Sequence, residues 1–598
     1  MTLLDYIIVG AFLTTMAMAG LTLSRLIRTA DDFFVAGRQL TPFILCATIT
    51  ATNISMLHFV GMGGTAYQSG VSIAWQNWAG CMALVLSGIF VVPILRRLGI
   101  RTIPEFLELR YSPGLRKLVG AFWGLKLCVF LGILLYVAAT AAIIISGCAP
   151  TDVHYCMWLA AFSIVSIFFS AIGGAWAVAI MDSIQFVIML GGALIVLPIA
   201  TRAAGGMPAV IHYLESSGQE NHLNFVPATG EFNWLFICAI TLLSLKWATV
   251  EQTILQRALG ARAPRAGAQG MVLSALVTTP FVFFWILPGL AAARLRPGFA
   301  NPDMAMPWLL ATVIPPAGRG VLGVVLCGMI AAQVSNITSD VNSVATLFTS
   351  DVYRSLRRRP PSQRELLFVV RLSSVVCGAI MLAVAYVLHH SDAGAVRANL
   401  TVVGILDMPI FVVTIVYGLL WKRANWQGAV GGFIAGSSAG LLAYALVTPR
   451  YFDGYLLPAA SAVSRWLADF LSRQHSLLKT YETSIRNIVP ILSSSVTLIV
   501  TPIVSLLTHS ARGGSGGDAR IWRAGVAGPT AAGEAADTFD IIPRSLAGRF
   551  GAALAVLGFG GFLTGVLGAA WKYQHSTRLA VGGMVVVFAG GLLRVYTD

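Results

Sequence analysis

Apolar runs of membrane-spanning length recur from the first residues of this 598-residue chain to the last. About 20 consecutive apolar residues cross a hydrocarbon core of ~30 Å as one α-helix. The composition agrees, since 57% of the residues are hydrophobic and 11% are charged, against roughly 45–50% and roughly 25% in soluble domains. The chain is therefore predicted to be an all-α polytopic membrane protein, and an ordinary soluble enzyme is excluded.

The apolar runs divide the chain into fifteen candidate transmembrane helices. The first run opens with Asp5 and has no basic segment before it, so we expect a permanent span rather than a cleavable signal peptide. The approximate limits are 3–24, 41–64, 71–95, 117–146, 155–173, 177–200, 232–259, 269–294, 318–350, 365–389, 397–421, 427–447, 486–507, 549–571 and 579–597.

The basic excess predicts the orientation of the chain in the membrane. There are 40 Lys and Arg and the net charge is +15. Cytoplasmic loops of membrane proteins are enriched in Lys and Arg, and the richer of the two alternating sets of loops includes 25–40, 95–116, 256–268, 351–364, 422–426 and 508–548. We therefore expect a plasma (inner) membrane protein with an external N-terminus and a cytoplasmic C-terminus, and no nucleic-acid partner.

Two connections are longer than the others. The external segment 448–486 contains Arg465, Trp466, Leu467, Phe470 and Leu471, which predict an amphipathic interfacial helix. The Gly/Ala-rich segment 508–548 is typical of a flexible cytoplasmic linker. Cys148 and Cys156 flank a short loop, and the sequence leaves open whether they form a disulfide or are two free thiols.

The second span is interrupted by polar residues and then by glycines. Thr48, Thr50, Thr52, Asn53, Ser55 and His58 are followed by Gly61, Gly63 and Gly64. Irregular backbone at membrane depth is tolerated where it lines a cavity or binds something. The pattern indicates either such an unwound helix or a closely packed helix with small residues at its interface.

The ninth span carries a denser set of oxygen-bearing side chains. Ser335, Ser339 and Asn342 stand at i, i+4 and i+7 and so share one helical face, with Asn336 and Thr338 beside them. Hard cations prefer oxygen ligands, and this stripe supplies neutral ones. It therefore indicates a binding site for Na⁺.

The ionisable residues inside the spans support several interpretations. Asp182 is either an ion ligand or a helix-end anchor, and Lys246 and Glu251 are close enough in sequence for a mutual ion pair. Asp340 and Asp407, with His58, leave open proton coupling or a cationic solute. Four intramembrane acids against the two lysines Lys126 and Lys246 favour a cationic or zwitterionic solute.

Six segments in this order resemble the sodium/solute symporter family, and the resemblance spans roughly residues 25 to 450. They are DDFFVAGRQL (31–40), ATNIS (51–55), GGAWAVAIMDSIQ (173–185), QTILQRALGAR (252–262), NSVATLFTSDVYR (342–354) and GLLWKRANWQGA (418–429).

The resemblance implies a leucine-transporter-type fold with a 5+5 inverted-repeat core. The first helix of each repeat would be discontinuous, with the solute between the two. The implied division is a peripheral helix in 1–30, repeats in 31–200 and 232–425, an external loop in 201–231, peripheral helices in 426–507, the linker 508–548 and a helical hairpin in 549–598.

The resemblance also implies site residues, with Na⁺ as coupling ion and no other cofactor. Asn336 stands where the family usually has a hydroxyl residue, and His58 and Asn77 differ from the residues of sugar-transporting relatives. The main sodium site would use the carbonyls of Ala51, Ile54 and Ala332 with the side chains of Ser335 and Asn336, a second sodium site Asp182, Ser335, Thr338 and Ser339, and the solute pocket Asn53, His58, Asn77 and Trp247.

The function expected from these features is Na⁺-driven import of a small organic solute by alternating access. Two alternatives remain: a symporter coupled to H⁺ through His58, Asp340 or Asp407, and a symporter-like sensor that acts with a signalling partner. The chain is not expected to be an enzyme, because no constellation of nucleophile, base and oxyanion donors is evident.

Overall fold

The computed structural model describes residues 2–25, 29–148, 151–357, 361–390, 403–447, 452–479, 485–508 and 543–597, with Arg359 and Phe539 as single residues. These described residues form helices and no β-strand. Thirteen helices are long and apolar enough to cross a membrane, and two bent pairs of helices bring the number of spans to 15. The prediction of an all-α membrane protein with about 15 spans is confirmed.

The helices follow the predicted order. Helix α1 (Leu3–Ser24) and the short α2 (Ala30–Val35) precede the first five-span set, which comprises α3 (Pro42–Asn53) with α4 (His58–Ser69), α5 (Val71–Leu98), the short α6 (Ile103–Arg110), α7 (Pro113–Ser146), α8 (Asp152–Ser170) and α9 (Gly174–Ala203). After the short α10 (Met207–Ser216), the second set comprises α11 (Trp234–Val250) with α12 (Gln252–Leu259), α13 (Pro264–Leu295), the short α14 (Ala305–Thr312), α15 (Val321–Leu356), α16 (Gln363–His389) and α17 (Val403–Leu420). The remaining helices are α18 (Trp426–Leu446), α19 (Leu457–Val463), α20 (Arg465–Lys479), α21 (Ile488–Leu507), α22 (Leu546–Trp571) and α23 (Ser576–Thr597).

The first span of each set is broken, as the resemblance implied. Helices α3 and α4 are bent by 61° and helices α11 and α12 by 42°. Ile54 (φ −100°, ψ 127°) and Glu251 (φ −66°, ψ 121°) are the extended residues at which α3 and α11 end. Because the last carbonyls of a helix have no partner within it, each break presents backbone oxygens inside the protein.

One hydrogen bond and one glycine conformation help to position the helices around this core. The buried carboxylate of Asp5 accepts a hydrogen bond from the backbone N–H of Gly323 at 2.8 Å, which holds α1 against α15. Gly174 (φ 49°, ψ −178°) separates α8 from α9, in a conformation that favours glycine. The sharp turn in the GGAWAVAIMDSIQ segment therefore depends on this glycine.

The peripheral elements agree in part with the predictions. The amphipathic helix expected near Arg465 is present as α20. The thiols of Cys148 and Cys156 are not bonded to each other, so the disulfide alternative is not realised. Most of the predicted linker, residues 509–538, lies outside the described residues.

Candidate functional site

One side chain of α4 and one of α15 bind the backbone N–H groups at the break between α3 and α4. The backbone N–H of Ser55 donates to Nδ1 of His58 at 3.2 Å, and the N–H of Met56 donates to the amide oxygen of Gln333 at 3.1 Å. Gln333 donates in turn to the carbonyl of Leu134 on α7 at 3.1 Å. A nitrogen that accepts from an N–H carries no proton, so His58 is a neutral ring that caps the second half of the broken span.

Helix α15 lies against the broken end of α3. Asn336 Nδ2 donates to the carbonyl of Thr52 at 2.6 Å, and the hydroxyls of Thr52 and Ser339 are 3.1 Å apart. These contacts bring together the two helices that carry the predicted main sodium ligands, all of which are buried: Ala51, Ile54, Ala332, Ser335 and Asn336. Buried oxygens on both sides of this junction are chemically suited to a small hard cation.

The predicted second sodium site shares Ser335 with the first. The hydroxyl of Ser335 donates to Asp182 Oδ1 at 2.6 Å, and that of Thr48 donates to Oδ2 at 2.5 Å. The hydroxyl of Thr338 is buried and makes no hydrogen bond with any described residue. Buried polar atoms usually have a partner, so the oxygen of Thr338 is available to a ligand.

Arg257 is a core residue that the sequence interpretation missed. Its Nη2 lies 3.5 Å from Asp182 Oδ2 and donates to the hydroxyl of Ser339, and its Nε donates to Thr48 Oγ1 at 2.9 Å. Arg257 lies where the predicted span 232–259 and the predicted basic loop 256–268 overlap, and it was counted as a loop charge. In the structure it belongs to helix α12 and its side chain is buried. A positive charge therefore already lies among the oxygens of the predicted second sodium site.

Lys126, Lys246, Glu251 and Asp407 form a buried group of four charges, called the charge cluster below. Asp407 Oδ2 is 2.6 Å from the Nζ atoms of both lysines, and Glu251 is 3.3 Å from Nζ of Lys126 and also bonds Lys246. The predicted pair of Lys246 and Glu251 is confirmed. Asp407 is bonded to two lysines, which removes the basis for assigning it to a cationic solute or to proton transfer.

Asp340 differs from the other intramembrane acids. Its carboxylate accepts a hydrogen bond from the hydroxyl of Thr253 at 2.5 Å and forms no ion pair with any described residue. Asp182, Glu251 and Asp407 all have cationic partners. The inference of a cationic solute from four acids against two lysines is therefore wrong in its premise, and only Asp340 remains to support it.

A cavity of about 260 Å³ lies between the two broken spans. Asn77 on its wall is 3% exposed, and its Nδ2 makes no hydrogen bond with any described residue. This donor is free to bind a solute. The wall includes all four predicted solute residues, Asn53, His58, Asn77 and Trp247, and also Thr52, Gln76, Ser244, Asn336, Asp340 and three members of the charge cluster, Lys126, Lys246 and Glu251.

Comparison with known proteins identifies the family of the chain. Residues 33–436 match the model of the Sodium:solute symporter family, and the chain belongs to that family. A sodium/glucose cotransporter of Vibrio parahaemolyticus is 28% identical over 467 residues, which are 73% of this chain and 84% of that protein. A sodium/myo-inositol cotransporter 2 of Homo sapiens is 27% identical over 462 residues, 71% of this chain and 67% of that protein.

The fold is also similar to that of a solved transporter. The structure of a Na⁺-coupled sialic acid symporter in a substrate-bound outward-open state superimposes with a TM-score of 0.69 at 20% identity, covering 86% of this chain and 99% of that one. The resemblance read from the sequence is thus confirmed, and the chain is a sodium-coupled symporter.

Proposed function

We propose that the protein imports a small polar organic solute across the plasma membrane, driven by Na⁺ bound at the junction of α3 and α15. One observation supports the proposal most directly: the broken end of α3 contacts α15 beside the cavity, where α15 carries the buried side chains of Ser335 and Asn336. Na⁺ held by these side chains and by the carbonyls of Ala51, Ile54 and Ala332 would tie the two helices together. Coupling follows because each ligand shifts the conformational equilibrium by its differential affinity for the two states.

The proposed solute binds mainly through hydrogen bonds. Amide groups of Asn53, Gln76 and Asn77 line the cavity, and the charges of Lys126 and Lys246 are neutralised within the charge cluster. The relatives named for glucose and myo-inositol favour a polyhydroxylated solute. Asp340 supplies a hydrogen-bond acceptor for such a solute.

We propose that a second Na⁺ binds only when Arg257 moves away from Asp182. Asp182, Ser335, Thr338 and Ser339 supply suitable oxygens, but Asp182 and Ser339 contact the guanidinium of Arg257. Arg257 and a second Na⁺ would compete for the same carboxylate. We therefore expect one Na⁺ per cycle while Arg257 holds this position, and two only in a state in which it moves away.

The test combines solute binding and transport. Purified protein is screened by thermal shift against solutes including D-glucose and myo-inositol, in Na⁺ or in K⁺, because a coupled solute stabilises the protein more when Na⁺ is present. A stabilising solute is then followed into proteoliposomes with an inward Na⁺ gradient. Uptake driven by a pH gradient in Na⁺-free buffer would contradict the proposal and favour the proton-coupled alternative.

A further inference from the structure

Three metal-ligating side chains meet where α8 begins and α16 ends, away from the solute cavity. Nε2 of His389 lies 3.1 Å from Oδ1 of Asp152. One ligand atom each from Asp152, His389 and His390 can be chosen so that all three lie within 4.8 Å of one another. Two imidazoles and a carboxylate from two different helices are therefore gathered at one point.

Both imidazole rings are held by neighbouring groups. The ring of His389 stacks on that of Tyr155, with centroids 3.7 Å apart and an interplanar angle of 12°. Nδ1 of His390 lies 3.0 Å from the carbonyl oxygen of Tyr386. Because a carbonyl only accepts, Nδ1 of His390 carries the proton and Nε2 has a free lone pair. A backbone carbonyl bonded to the second ring nitrogen is the usual support of a metal-binding histidine.

We propose that Asp152, His389 and His390 bind a Zn²⁺ ion. Imidazole and carboxylate ligands suit Zn²⁺, whereas Ca²⁺ and Mg²⁺ prefer sets made of oxygen alone. Tetrahedral bonds of ~2.0–2.1 Å place ligand atoms about 3.3 Å apart, close to the 3.1 Å between His389 and Asp152. The side chain of Asp152 is 77% exposed, so it is free to adjust toward His390 and leaves an open path for the ion.

The proposed ion would connect the two sets of spans. Asp152 belongs to α8 in the first set, and His389 and His390 lie at the end of α16 in the second. The predicted topology puts both helix ends on the external side, where free Zn²⁺ reaches them without crossing the membrane. Bound Zn²⁺ therefore stabilises the packing of α8 on α16, independently of Na⁺ and solute.

The experiment measures Zn²⁺ binding to the full chain purified without a histidine tag. Isothermal titration with Zn²⁺ should show one specific site per chain, and Zn²⁺ should raise the melting temperature in Na⁺-free buffer. His389→Gln and Asp152→Asn should each weaken binding at least about tenfold. His390→Ala provides a third variant in case one of these folds poorly.

His154→Ala is the matched control, because it removes another histidine from the first turn of α8 that lies outside the three-residue group. It should retain the Zn²⁺ affinity and the shift in melting temperature of the unaltered chain. The proposal is overturned if the unaltered chain binds no Zn²⁺, if the site variants bind it as well as the unaltered chain, or if His154→Ala weakens binding equally. None of these outcomes depends on transport, so they leave the proposed symport untouched.

Discussion

Two buried carboxylates, Asp340 and Asp407, have opposite electrostatic settings. Asp407 is bonded to Lys126 and Lys246 and also accepts a hydrogen bond from Trp123 Nε1 at 3.1 Å. Asp340 has the hydroxyl of Thr253 as a neutral donor and no ion pair among the described residues. A buried charge is costly without a partner, and removing one member of a buried pair leaves its partner uncompensated.

We expect Asp407→Asn to destabilise the protein by about 3–5 kcal/mol, since one acid then faces two lysines. Asp340→Asn should instead stabilise it by on the order of 1 kcal/mol, because the amide needs no counter-charge. The measurement is the melting temperature of both variants in the same detergent. An equal loss in the two variants would contradict the assignment of Asp340 as the unpaired acid.

Ser335→Ala should raise the Na⁺ concentration needed for half-maximal stabilisation about tenfold, as expected for losing one hydrogen-bonding or ligating contact to a charged group. The measurement is the shift in melting temperature during a Na⁺ titration. Ser343→Ala is the control, since that buried hydroxyl donates to the carbonyl of Ser339 on its own helix at 3.0 Å. If Ser343→Ala weakens the Na⁺ response as much, Ser335 has no special role.

The residue types of the site were evident from the sequence, but their partners were not. The oxygen stripe of α15 and the polar second span could be found because expensive polar groups stand out in apolar runs. Lys126 and Asp407 are 281 positions apart, and no local pattern joins them. Arg257 was counted among the basic residues of a loop, because the sequence alone does not show whether a charged residue at the end of a span is buried.

At the scale of helices, the break between α3 and α4 depends on α15. Gln333 accepts from the N–H of Met56 and donates to the carbonyl of Leu134, so one amide joins α15, the broken span and α7. The glycines and Asx residues of the second span favoured irregular backbone but left a packed helix as an alternative. The contacts of Gln333 and His58 stabilise the broken form, and these contacts exist only in the folded protein.

Gln333→Met should destabilise the protein by about 1–3 kcal/mol, because a side chain of similar size leaves a buried N–H and a buried carbonyl unpaired. It should also reduce the stabilisation by Na⁺, since the broken end of α3 carries carbonyls of the proposed site. Melting temperatures with and without Na⁺ provide the measurement. An unchanged Na⁺ response would show that Gln333 does not set the geometry of the break.

At the scale of the whole molecule, the number of spans determines sidedness. Fifteen spans would put the two termini on opposite sides of the membrane, and the basic loops predict that the C-terminus is the cytoplasmic one. The hydropathy pattern sufficed for this architecture because lipid requires the backbone of each span to satisfy its own hydrogen bonds. The sequence pattern offered the break between α3 and α4 as one of two interpretations, whereas the break between α11 and α12 was expected only from the resemblance.

The predicted orientation is tested with single-cysteine variants labelled in intact cells. Thr151→Cys, before α8, should react with a membrane-impermeant maleimide added outside. Leu356→Cys, at the end of α15 and 68% exposed, should react only after the cells are opened. The reverse labelling pattern would invert the proposed topology.

The balance of the charge cluster also has a consequence for electrical recordings of the protein. Its two lysines and two acids sum to zero, and Asp182 is paired with Arg257. Helices that carry these balanced groups through the membrane field displace little net charge, whereas each Na⁺ contributes about 2.3 kcal/mol per 100 mV. A voltage step in Na⁺-free buffer should therefore move little charge on these groups. In steady transport of a neutral solute the protein's own charges return to their starting positions in every cycle, so the current divided by the solute flux counts the Na⁺ ions carried.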